Sequence, residues 1–144
     1  MSASLADPAV TVCFSVQVDR HDLGAFTGCD GLGCEVTVEQ REEGGNNGFV
    51  HQLPGRIRYS NVKLSRFVNA DTKKVSAWFA SMTGGVERTT ARIAALDPHG
   101  DLVAEWNLID VIPVRWQGPS LSVDSPKVAV ETLELAHHGF LNSR

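Results

Sequence analysis

Hydrophobic and polar residues alternate most strictly near the start of the chain. Val10, Val12, Phe14, Val16 and Val18 interleave with Thr11, Cys13, Ser15, Gln17 and Asp19, the period of a strand with one buried face. A second alternation sets Leu32, Cys34, Val36 and Val38 against Gly33, Glu35, Thr37 and Glu39, again the pattern of a half-buried strand. Between them, Gly24, Gly28, Gly31 and Gly33 mark a turn-rich passage. Farther on, Ile57 and Tyr59 share one parity and Val62 and Leu64 the other, which predicts a bulge near Ser60–Asn61 that re-aims the strand. Thr89 to Leu96 and Leu102 to Trp106 flank Asp97-Pro98-His99-Gly100-Asp101, a turn suited to a hairpin. Two more strand-like runs, Leu108 to Trp116 and Val128 to Ala136, are separated by a loop from Pro119 to Pro126.

One segment has helical period instead. Val75, Trp78, Phe79 and Met82 fall at i, i+3, i+4 and i+7 and form a single apolar stripe, with Asn69 or Asp71 placed to cap the start and Gly84 the end. These four are the expected core-facing residues of the helix; burial at about 1.5–3 kcal/mol per side chain is enough to decide where it docks. The fold class is therefore mainly β (α+β): an antiparallel β-barrel or sandwich with one packed α-helix.

The segment from Arg41 to Arg66 carries the least self-sufficient pattern. Gly44-Gly45-Asn46-Asn47-Gly48 lies between strand-like runs and leads into Leu53-Pro54-Gly55. Ordering a residue costs roughly 1–2 kcal/mol of backbone entropy and glycine loses most, so this loop stays mobile or a partner orders it. We expect one domain over residues 1–144, with 1–9 a flexible N-terminus and 41–52 a projecting loop on a hairpin-like arm.

At 144 residues the chain is long enough for a core without disulfides or metals, and its net charge of −4 and pI near 5.7 argue against a nucleic-acid grip. Residues 1–10 lack the basic and apolar regions of a signal peptide, and no apolar run approaches the ~20 residues that span a bilayer. The expectation is a cytoplasmic protein with no membrane anchor. Cys13, Cys29 and Cys34 are odd in number and form no CxxC pair, which suits reduced, buried thiols.

Catalytic and metal-binding patterns are absent. His137 and His138 are strand neighbours pointing to opposite faces, Cys29 and Cys34 lack further ligands at a convincing spacing, and the glycines from Gly28 to Gly33 do not make GxGxxG. Glu131 and Glu134 have opposite strand parity, a poor arrangement for a catalytic pair, while Glu39, Glu42 and Glu43 read as a solvated face. We expect no catalytic residue, no metal and no cofactor.

Several blocks together resemble the tail-tube protein family of contractile phage tails, whose relatives include the inner-tube proteins of extracellular contractile injection systems. They are Leu53-Pro54-Gly55-Arg56-Ile57-Arg58-Tyr59-Ser60-Asn61-Val62-Lys63-Leu64-Ser65-Arg66, the helix with Trp78, Trp106-Asn107 with Pro113-Val114, and Val128 to Leu135. The likeness runs from about Val10 to Phe140; Phe67 departs from it, standing where the family often has glycine. The resemblance implies a structural subunit that closes into hexameric rings stacked as a tube inside a sheath, with baseplate and spike proteins at one end and cargo in the lumen. It implies a subunit interface at Gly44, Gly45, Asn46, Asn47, Phe49, Leu53 and Arg66, with Phe49 and Leu53 as anchors. One polar strand face, Thr11, Ser15 and Gln17 or Glu35, Thr37 and Glu39, would line the lumen. Two alternatives stand beside it: a baseplate-proximal adaptor ring, and a monomeric ligand-binding or enzymatic barrel with Trp78, Trp106 and Trp116 around a pocket.

Overall fold

The computed structural model describes residues 10–42, 50–119, 121–124 and 128–141. Its strands are β1 (Cys13–Val18), β2 (His21–Phe26), β3 (Gly28–Asp30), β4 (Cys34–Glu42), β5 (Val50–Tyr59), β6 (Val62–Phe67), β7 (Thr89–Leu96), β8 (Leu102–Gln117) and β9 (Val130–Ala136), with one helix, α1 (Thr72–Ser81), between β6 and β7. Seven strands run in the order β2-β1-β7-β8-β9-β6-β3, all antiparallel, and β4 and β5 form a separate two-stranded ribbon.

The seven-stranded order folds on itself along β8. The first part of β8 pairs with β7, from Leu102 opposite Leu96 to Val111 opposite Thr89; the second pairs with β9, from Ile112 to Gln117. Asp110 takes a left-handed φ of 52° at the changeover, and a bulge between Pro113 and Arg115 accommodates a proline that has no N–H for a ladder. At the other side the chain steps from β2 to β3 through Thr27, whose N–H donates to the Ser65 carbonyl at 2.9 Å, so the two ends of the order meet. The result is an antiparallel sandwich. Val16, Val18, Ile93 and Leu108 from one half face Val62, Leu64, Leu133 and Leu135 from the other, all fully buried.

α1 docks through Val75 and Trp78, both fully buried, while Phe79 and Met82 are half-buried against the same core. The stripe is thus core-facing as its spacing predicts, but Met82 is the C-cap and not a helical residue, and Gly84 lies past the end. Asp71 is the N-cap without a side-chain capping bond; Asn69 Oδ1 instead accepts the Asp71 N–H at 2.7 Å.

Several sequence expectations are corrected. The turn-rich passage contains β2 and β3, with Gly24 at φ 87° beside a bulge in β2 at Leu23. No bulge joins Tyr59 to Val62: at Ser60–Asn61 the chain leaves the ribbon and enters the larger sheet, which is why the apolar parity changes. Strands also reach into the 41–52 segment expected to be loop, since β4 extends to Glu42 and β5 begins at Val50. The hairpin turn at Asp97–Asp101 forms as expected, with Gly100 at φ 83° and Asp97 Oδ1 accepting the His99 and Asp101 N–H groups at 2.9 Å each.

Candidate subunit interface

The β4–β5 ribbon continues the β3–β6 ladder beyond the body. Asp30 opposite Lys63 is the last pair of that ladder, and Cys34 opposite Tyr59 the first pair of the ribbon. Nine residues of β4 give an arm of about 30 Å. Directly opposed residues share a face, so the register Cys34–Tyr59, Val36–Ile57 and Val38–Pro54 builds one apolar side, with a bulge opposite Thr37 that admits Pro54. The reverse side pairs Glu35 with Arg58 and Glu39 with Leu53. Alternation in β4 predicts a half-buried strand, yet Val36, Val38 and Ile57 are 48%, 52% and 53% exposed. Among the described residues nothing covers the face that the pattern was written to bury.

Tyr59 ties the base of the arm to the body. Its ring lies 5.4 Å from that of His137 and 5.7 Å from that of Phe140, and it rests against Gly139, whose φ is 141°. Burial lowers the pKa of His137, with backbone hydrogen bonds at Gly139 and Ser60 pulling the other way. His137 is therefore a buried member of an aromatic cluster, whereas His138 is exposed and pairs with Asp110 at 3.5 Å.

Of the residues expected at a subunit interface, Gly44, Gly45, Asn46, Asn47 and Phe49 lie outside the described residues. Leu53 is exposed, but on the polar side of the ribbon beside Glu39. Arg66 is a correction: it is buried and meets no neighbour's surface. It shares the inward parity of Val62 and Leu64, and its guanidinium is used up inside the chain. Nε donates to Glu131 Oε2 at 3.2 Å, Nη1 to the Leu23 and Ala25 carbonyls at 2.6 and 3.3 Å, and Nη2 to the Asp71 carbonyl at 3.1 Å, with the group stacked 4.1 Å over the Phe26 ring. Glu131 also accepts from the Thr72 hydroxyl and from Trp116 Nε1 at 3.0 Å. Five elements thus meet at one buried ion pair. Leu23 and Ala25 belong to an end strand, and the carbonyls that Arg66 occupies are closed to strand addition.

The remaining chemistry is sparse. Cys13, Cys29 and Cys34 are free thiols; Cys34 is exposed on the arm, against the expectation of burial, while burial and then the Asp30 charge push Cys29 up to about 11. Among the described residues no cluster of His, Cys, Asp or Glu converges on a metal position, and no helix is long and apolar enough to cross a membrane. A polar cleft of about 370 Å³ opens between Asp19, His21, Trp78 and Glu87; Trp106 and Trp116 do not border it, so the three tryptophans do not share it.

The family described as "T4-like virus tail tube protein gp19" matches residues 10–141. No curated protein matches the chain in sequence. Among solved structures, a chain of the sheath–tube complex of an extracellular contractile injection system, PVC, in its extended state superposes with a TM-score of 0.80 at 22% identity, covering 97% of each chain. A chain of the anti-feeding prophage baseplate gives 0.75 at 24% identity, covering 95% of this chain and 96% of that one. A chain of the tube-terminating cap of the anti-feeding prophage gives 0.79 at 21%, covering 98% and 94%.

Proposed function

The chain belongs to the family of T4-like virus tail tube proteins, and from that premise we propose that its copies close into hexameric rings stacked as the inner tube of a contractile tail or injection system. The observation that carries this reading is the arm: a strand pattern written for burial, projecting from the body with Val36, Val38 and Ile57 uncovered. A neighbouring copy supplies the missing cover, and closing sheets around a ring removes their exposed edges. Residues 44–49 and Leu53 lie against that neighbour in this reading. The role is structural and not catalytic. Sheath protein surrounds the tube, baseplate and spike proteins meet one end, cargo passes through the lumen, and assembly takes place in the cytoplasm of the producing cell. The similar folds found in a sheath–tube complex, a baseplate and a cap support those partners.

The test is light scattering over a concentration series with negative-stain images of the same fractions, on the intact chain and on a variant lacking Glu43 to Gly48. The intact chain forms rings and tubes; the variant keeps its thermal transition and does not stack. Single rings that never lengthen would make the protein a baseplate-proximal adaptor. A strict monomer that gains thermal stability from a small molecule would replace the tube with a ligand-binding domain.

A further inference from the structure

Besides the arm, the body carries a second uncovered apolar patch. Phe67, the last residue of β6, stands opposite Val130, the first of β9, and the ladder runs on through the Val68 N–H to the Ala129 carbonyl at 2.9 Å. Phe67 is 55% exposed, Val130 43% and Val128 70%. Their parity explains it. Arg66 and Glu131 point inward, so Phe67 and Val130, one residue along each strand, point out.

The position of the patch relative to the arm is set by β6 itself. β6 begins at Val62, beside the base of the arm, and ends at Phe67, so arm and patch occupy opposite ends of a strand of about 17–20 Å. They also face opposite ways: Tyr59, on the apolar side of the arm, packs on His137 and on Phe140 of the core, whereas Phe67 and Val130 lie on the outside of their sheet. Within one copy the two surfaces are separated by the length of β6 and turned away from each other.

We propose that the apolar side of the arm, Val36, Val38, Pro54 and Ile57, seats on Phe67, Val128 and Val130 of the next copy in the stack. The inference rests on the tube reading and names the partner surface of the arm. Two different surfaces of one chain make a heterologous contact, which repeats along a line without closing, as stacking requires. The partner is a second copy because the chain carries both complementary surfaces, apolar against apolar, separated by the length of β6.

Charge placed on each side tests the pairing in the full chain. Val130→Glu and, separately, Val38→Lys keep the wild-type thermal transition and form rings, but both lose tubes in negative stain; the double variant, with Lys facing Glu across the contact, regains them. Phe67→Ser serves as a second patch variant should Val130→Glu melt early. Tubes of ordinary length from Val130→Glu and Phe67→Ser, or a double variant that does not recover stacking, would overturn this contact and leave the tube reading standing. A wild-type chain that forms neither rings nor tubes at any concentration would remove the tube reading and this contact with it.

Discussion

Arg66 and Glu131 stand directly opposite each other on β6 and β9, both turned into the core, with Nε and Oε2 3.2 Å apart. A buried ion pair holds only where its remaining donors and acceptors are also satisfied, and here they reach β2, β8 and the start of α1. The pair joins the two halves of the sandwich at a place where purely apolar residues would leave the β2 carbonyls open.

Removing one partner strands the other charge in the core. Arg66→Ala or Glu131→Ala should each cost about 3–5 kcal/mol, and the double variant should cost clearly less than the sum, because neither charge is then left unpaired. Urea denaturation of the four proteins measures the cycle; additive losses would mean the two residues act independently.

Acid should loosen the base of the arm through His137. Its folded pKa lies below the ordinary 6.5, so the unfolded chain takes up the proton first and stability falls as the pH drops through about 6.5 toward the folded value. The urea midpoint of the wild type should decline between about pH 7 and about pH 5 more steeply than that of His137→Gln. Parallel slopes would show that other groups carry the acid response.

Two neighbouring glycines should respond differently to alanine. Gly31 has φ 90° and a Cβ there would collide with the Asn61 carbonyl oxygen, so Gly31→Ala should cost about 1–3 kcal/mol. At Gly33 no atom lies near a built Cβ, and Gly33→Ala should stay within about 0.5 kcal/mol of wild type. Equal denaturation midpoints would contradict the close approach at Gly31.

Thiol labelling should separate the cysteines. In the unassembled chain at neutral pH, maleimide should modify exposed Cys34 quickly and leave Cys29 largely untouched, its pKa raised to about 11. Peptide mass spectrometry reads the order, and equal rates would mean that Cys29 is more open than its packing indicates.

Much of this fold is legible in the chain because one side of each long strand is apolar. Thr89–Leu96 emerges with its predicted bounds, and the helix stripe of Val75 and Trp78 is core-facing as its spacing requires. β2 and β3 were hidden by glycines that read as punctuation, although Gly24 serves a bulge and Gly31 a close backbone approach. The ion pair is hidden by its charge: Arg66 continues the inward parity of Val62 and Leu64, and Glu131 that of Leu133 and Leu135, but a charged side chain is rarely buried unless paired. Two opposite charges on inward parities were the available signal. β8 reads as two strands because polar Asn107 interrupts the apolar run, although the strand continues through it, paired with Arg92.

That undivided β8 has a mechanical consequence. The two halves of the sandwich cannot shear past one another while a single strand is hydrogen-bonded into both, so force delivered to one half is borne by the other through covalent backbone. Yielding would begin at the short outer strands, β2 and β3, and β8 would be among the last segments to give up its amide protons to exchange.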